Sequence, residues 1–244
     1  MTRALSSEWL KLRTTKTSGA FALTGVGLAV LVAILIATTD DPASLGRSLD
    51  TFPGFTKLAG FVGLLTFAAG IRVFTDEYRF ATITGTALGT PRRAVVLAAK
   101  AMSSAGLGGL IGLLALGGVG VVAVIRLALL DGPIAAGPDF TRILIGSVVA
   151  MALWAAFGVG LAATVPRDTL MIVVGVVWIL AGENILSALV PSVAMYLPAH
   201  AAAAMSEAAQ EGLLSPIVGA AVFTGYVAVA LASGFAAFVR RDVP

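Results

Sequence analysis

The chain has no cysteine, which excludes disulfides, thiolate metal sites and a cysteine nucleophile. It has a single histidine, His200, which leaves no H-E-x-x-H zinc motif and argues against a Ser-His-Asp triad. None of its four lysines, Lys11, Lys16, Lys57 and Lys100, follows a glycine. The phosphate-cradling pattern G-x-x-x-x-G-K-[ST] is therefore absent. No catalytic residue, metal ligand or cofactor site is expected in the chain itself. Charge as a whole is scarce, at 12% of 244 residues, about half the share of an ordinary soluble domain. The formal net charge of +3 does not imply nucleic acid. The basic residues sit at the ends of apolar runs instead of forming one patch with aromatics between them.

What remains is apolar: 58% of residues are hydrophobic, and the expected class is an all-α polytopic membrane protein. A spanning helix needs about 20 predominantly apolar residues. Six stretches qualify: Ser18 to Ala37, Phe55 to Phe74, Val95 to Ile125, Ile143 to Val165, Leu170 to Val190 and Pro216 to Val239. The third is overlong, which predicts tilt, a bend or a tail in the interface. Orientation follows from the Lys/Arg asymmetry between alternate loops. Twelve lie on one side, from Arg3, Lys11, Arg13 and Lys16 through Arg72, Arg79, Arg92, Arg93, Lys100 and Arg167 to Arg240 and Arg241. The other side has four, Arg47, Lys57, Arg126 and Arg142. Both termini are expected in the cytosol, as an even number of spans requires. A cleaved signal peptide is not expected, because Glu8, Lys11, Arg13 and Lys16 prolong the polar region and the apolar run exceeds an h-region.

Residues 1–17 read as an amphipathic helix lying in the interface, with Leu5, Trp9 and Leu12 on one face. Its cations, Lys11 and Arg13 among them, are expected to meet anionic lipid, with Trp9 at headgroup depth. Glycines are frequent, notably Gly108, Gly109, Gly112, Gly117, Gly118 and Gly120 in the third stretch. They predict close helix packing. Within the fifth stretch, Glu183 and Asn184 interrupt the apolar run. A charge at helix centre costs about 3 kcal/mol, so Glu183 is expected to face protein or water. It reads as a contact in a substrate path or gate, as an interhelical hydrogen bond, or as a carboxylate that reaches the outer interface. Residues 191–215 contain no Lys or Arg and read as an outer helical break, with Pro191, Pro198 and Pro216 ending or restarting helices and Tyr196 at the interface.

The charge concentrated at 72–93 includes a loop, 75–91, that reads as a cytosolic docking element. Thr75 or Asp76 would cap a helix with Glu77 in its first turn, Tyr78, Arg79, Thr82 and Ile83 would form its surface, and Gly89 with Pro91 would close it.

Together these segments resemble the permease subunits of type-2 ATP-binding-cassette exporters, of the short six-span bacterial kind. Glu8-Trp9-Leu10-Lys11-Leu12-Arg13-Thr14 resembles the connecting helix. Glu77-Tyr78-Arg79 with Thr82 and Pro91-Arg92-Arg93 resembles the coupling loop, 191–198 the helical break, and Arg240-Arg241-Asp242-Val243 the tail. The resemblance implies a bacterial cytoplasmic membrane and pairing with a second permease copy or a homologous permease. It also implies separate P-loop ATPase subunits that bind ATP and Mg. Glu77, Tyr78, Arg79 and Thr82 would transmit force, Glu8, Trp9, Lys11 and Arg13 would form the connecting helix, and Glu183 with Asn184 would line the path or gate. A hydrophobic or amphipathic cargo is expected, such as a drug, peptide antibiotic, lipid or polysaccharide component. The alternatives are a secondary transporter or channel that needs no ATPase, and a membrane anchor or sensor recruiting a cytosolic partner.

Overall fold

The computed structural model describes residues 2–39, 49, 52–82, 92–130, 135–206 and 212–240. Among them every regular element is helical: α1 Thr2–Thr14, α2 Lys16–Thr39, α3 Pro53–Arg79, α4 Arg93–Leu129, α5 Phe140–Thr164, α6 Asp168–Val177, a π-helical turn Trp178–Gly182, α7 Glu183–Leu189, α8 Pro191–Ala194, α9 Pro198–Ser206 and α10 Pro216–Arg240. Five stretches are long and apolar enough to cross a membrane: α2, α4, α5, Asp168–Leu189 and α10. The remaining expected span falls on α3, whose 27 residues extend about 40 Å. Residues 83–91, with Ile83, Gly89 and Pro91 of the expected docking loop, lie outside the described residues, as do 207–211 of the expected outer break and Arg241 to Val243 of the tail.

The bundle is organised around α5, which packs against α3, α4, α9 and α10. Small residues make this possible, because between helices in lipid there is little hydrophobic drive and backbones must approach closely. A Cβ on Gly70 of α3 would collide with the Ala155 backbone, and one on Gly158 with the Phe67 backbone, so these two glycines set the α3–α5 crossing. A Cβ on Gly108 of α4 would meet the Met151 backbone, one on Gly112 the Met151 side chain and one on Gly118 the Val30 side chain, whereas Gly117 faces open space. The packing role expected of the α4 glycines thus holds at Gly108, Gly112 and Gly118, is no more than ordinary contact at Gly109 and Gly120, and fails at Gly117.

Two apolar cores result. One joins α2, α3 and α4 through Ala33, Phe55, Ile111 and Val119. The other sets Phe67, Phe74, Trp154, Phe223 and Phe238 between α3, α5 and α10, with Trp154 and Phe223 only 4.7 Å apart. The overlong stretch is one unbroken helix of 37 residues, about 55 Å from end to end.

One expectation fails at residues 75–79. Thr75 and Asp76 do not start a new helix, since α3 runs on to Arg79 and both lie in its closing turns. Phe74 is fully buried against Phe238 and Glu77 is buried, so tertiary contacts on this face carry the helix past the residues that look like a cap. The chain leaves α3 with Ala81 at φ 53°. Its amide donates to the Tyr78 carbonyl and that of Thr82 to the Glu77 carbonyl, the bond pattern of a Schellman motif with alanine where glycine is usual.

Candidate functional site

Two polar sites stand out in the apolar bundle, one at each end. At the end where α3 stops and α4 starts, Glu8, Lys11, Glu77 and Lys100 form a closed ring of charge. Lys11 Nζ lies 2.7 Å from Glu8 Oε1 and 2.6 Å from Glu77 Oε1. Lys100 Nζ lies 2.9 Å from Glu8 Oε2 and 2.9 Å from Glu77 Oε1. Lys100, Glu8 and Glu77 are all buried, at 1%, 4% and 5% exposure. Two anions and two cations cancel, and such pairing is what makes burial of ions tolerable. Burial raises the Glu77 carboxyl, but the Lys100 charge and hydrogen bonds from Lys11 and Lys100 outweigh it and hold it below its ordinary value. For Lys11, burial works against the ammonium, yet the bonds to Glu77 and Glu8 prevail and raise it.

This ring corrects the reading of α1. Although its side chain is 45% exposed, the Lys11 ammonium is paired with acids of two helices, Glu8 and Glu77, where anionic lipid was expected to meet it. Glu8, on the same side, reaches α4. Trp9 remains partly exposed, with its ring edge close to Gly106 of α4, and Arg13 is exposed. Beside the ring a crevice of about 350 Å³ is bordered by Leu12, Phe21, Asp76, Phe80 and Thr82. Arg72 extends the polar end, 2.7 Å from Asp168 at the start of α6. Arg93 donates to the carbonyls of Phe238 and Val239 at 2.6 and 2.9 Å, closing the end of α10 as cations near helix C-termini do.

The four residues expected in the docking loop separate into two groups. Glu77 belongs to the ring, and Tyr78 stacks on Phe74 with its hydroxyl buried. Arg79 is exposed over the Phe80 ring, and Thr82 is exposed. Only Arg79 and Thr82 of the four, joined by Phe80 at 63% exposure, present a surface.

At the opposite end, about 25 Å along α3 by helix rise, lies a cavity of about 580 Å³ whose lining includes Phe61, Trp154, Leu180, Glu183, Asn184 and His200. No residue of α6 is buried, yet Glu183 is 1% exposed. The π turn explains the change. One additional residue in a turn rotates the following helix by about 100°, and Gly182 admits the Trp178 ring, which a Cβ would meet at 2.7 Å. Glu183 accepts the Ala199 amide on both oxygens, at 3.1 and 3.0 Å, and faces His200 Nδ1 at 3.3 Å. It therefore caps α9, whose first amides point at it. The other ring nitrogen, Nε2, lies 3.2 Å from Ser187 Oγ. Asn184 donates to the Leu180 carbonyl at 2.8 Å and is exposed.

The Ser187–His200–Glu183 order mimics a hydrolase triad, but Ser187 commits its proton to the Glu183 carbonyl at 2.7 Å. The nearest amides, at the start of α9, already serve the carboxylate. The arrangement braces α7 against α9. Sequence reasoning found Glu183 and Asn184 but not His200 or Ser187, although Ser187 stands one helical turn from Glu183. It also found the helix starts at Pro191, Pro198 and Pro216.

Fold and sites together define the class: an all-α membrane-embedded protein, with a largely buried ion ring at one end of its bundle and an acid-containing cavity toward the other. No protein-family model matches the chain, and no curated protein matches it either.

Proposed function

We propose that the chain is the transmembrane subunit of an ATP-driven exporter of the type-2 ATP-binding-cassette kind, crossing the bacterial cytoplasmic membrane six times with α3 as the second span and both termini in the cytosol. The observation that carries this reading is the ion ring. It locks α1, the end of α3 and the start of α4 into one unit, and the exposed Arg79, Phe80 and Thr82 lie on the chain leading out of that unit. A membrane bundle gains little from so rigid a polar end unless something pushes on it. A docked ATPase would do so, and movement of the unit would bias the bundle between two states. The absence of a nucleotide motif fits such a division of labour. A second permease would pair along Asp168–Leu189, whose face is the least buried of the five candidate spans at 6%.

The test is purification of tagged protein from its native membrane in mild detergent, with mass spectrometry of what copurifies. A stoichiometric P-loop ATPase is expected, and it is lost on replacing Arg79, Phe80 and Thr82 together by alanine while insertion persists. A partner lacking any nucleotide motif would move the reading to an anchor or sensor.

One observation favours a second reading. Buried Glu183 with half-buried His200, beside a π turn, is the kind of intramembrane ionisable group that ion-coupled transporters use. Protein that emerges alone and supports flux without ATP would establish that reading instead.

A further inference from the structure

We propose that the cavity beside Glu183 is a site for uncharged lipophilic molecules that carry a hydrogen-bonding group, and that it excludes organic ions of either sign. The proposal deepens the transport reading above by naming a class of cargo, and it rests on that reading for the site's purpose. The selectivity stands on the cavity itself.

The polar cluster in the wall is closed on itself. The Glu183 carboxylate is 1% exposed, and its oxygens are taken by the Ala199 amide and by His200 Nδ1. His200 Nε2 faces Ser187 Oγ, and Ser187 donates to the Glu183 carbonyl. Each side-chain polar atom of these three residues thus has its partner inside the wall, and a ligand that took one of them would leave another buried group unpaired. Among the described lining residues there is no lysine or arginine, and no carboxylate besides Glu183. An organic ion that entered would shed its water and meet no open counter-charge, which is costly in apolar surroundings.

What the cavity does offer is apolar area and one amide. Phe61, Leu64, Trp154, Ile179 and Leu180 are among its walls, and its volume of about 580 Å³ lies within the range of sites for drug-sized molecules. Phe61 and Leu180 are about half exposed, so their side chains have surface left to cover. Asn184 is the one exposed polar side chain among the described lining residues. Its Nδ2 gives a proton to the Leu180 carbonyl, which leaves a second N–H and the amide oxygen to spend. That amide can pair with one neutral polar group and so orient a ligand otherwise held by apolar contact.

Trp154 supplies the reporter. The chain has three tryptophans, Trp9, Trp154 and Trp178, and of these only Trp154 lines the cavity. Trp9→Phe combined with Trp178→Phe leaves it the sole emitter. The experiment follows quenching of its fluorescence in the full chain, in lipid nanodiscs without ATPase, by brominated biphenyls of one skeleton that bear a carboxamide, a trimethylammonium or a sulfonate group. Each is expressed per lipid after its partition into empty nanodiscs is measured. Expected are saturable quenching by the carboxamide and only linear quenching by the two ions. Ala203→Phe, which fills the cavity from a half-buried position on α9, should abolish the saturable part. Asn184→Leu, at an exposed position, should weaken the carboxamide about fivefold and leave plain bromobiphenyl unchanged. Saturable quenching by either ion, at an affinity equal to the carboxamide's or better, overturns the proposal. Carboxamide quenching that stays linear, or that persists in Ala203→Phe, also overturns it, and is the outcome of a cavity held by lipid tails or water. An unchanged carboxamide affinity in Asn184→Leu overturns the part assigned to that amide. None of these outcomes depends on an ATPase, so the coupling reading can fail while the site stands, and the reverse.

Discussion

At the scale of single residues, the ion ring concentrates the consequences. Lys100 is 1% exposed and touches both carboxylates. Removing one member of a buried set leaves the others uncompensated, at a cost of about 3 kcal/mol or more. Lys100→Met should therefore lower the thermal inactivation temperature in detergent markedly, although methionine matches the length of the stem. The pH response follows from the two shifted groups. Glu77 lies below its ordinary 4.5, so the stability it contributes is complete above that pH and is lost as pH falls through its lower folded value. Lys11 lies above its ordinary 10.5, so its contribution is complete below that pH and is lost as pH rises through its higher folded value. A plateau between about pH 5 and 10 is expected in a thermal scan. Glu77→Gln should lower the plateau and flatten the acid side, whereas Lys11→Gln should flatten the alkaline side; an acid limb unchanged in Glu77→Gln would contradict the assignment.

At the scale of elements, contacts at glycine decide which helices tolerate change. Gly70→Ala presses a methyl group into the Ala155 backbone, while Gly117→Ala points into open space. The first should abolish monodisperse protein, and the second should be silent or slightly stabilising, since alanine is the better helix former by about 1 kcal/mol. Size-exclusion profiles of the two variants separate these outcomes. The helices themselves were legible in the sequence, because long apolar runs and three prolines mark them without reference to anything distant. Glu183 was legible as an anomaly in such a run. Its partner was not: His200 stands 17 residues further on, beyond two helix breaks, and the π turn that aims the acid inward has no sequence signature. The ring was hidden for the same reason, since Glu8 and Lys100 are 92 residues apart. At Thr75 and Asp76 the local signal was real but lost to packing, because Phe74 and Glu77 had partners that required the helix to continue.

At the scale of the whole molecule, the uneven burial of the candidate spans matters most. The share buried is 56% for α5 but 6% for Asp168–Leu189, so one helix is nearly all surface on the bundle. Leu170, Val173, Val174 and Val177 are among its exposed side chains. If a second permease copy covers that face, single cysteines at Val173 or Val177 should form disulfide-linked dimers in native membranes, and cysteines at the exposed Leu113 of α4 should not. The natural chain has no cysteine, so no background needs to be removed. Equal cross-linking at all three positions would indicate random collision and no pairing along this helix.

The ring also imposes an order on synthesis. Glu8 leaves the ribosome 92 residues before Lys100, an interval of roughly 5 to 20 s at ordinary elongation rates. Through that interval the α1 carboxylate has only water and Lys11 of its own helix for company, and the helix can only wait at the bilayer surface on Leu5 and Trp9. The α1 helix is thus made before the elements it docks on and is among the last to reach its final place, and its docking certifies that the start of α4 has returned to the side where α1 waits.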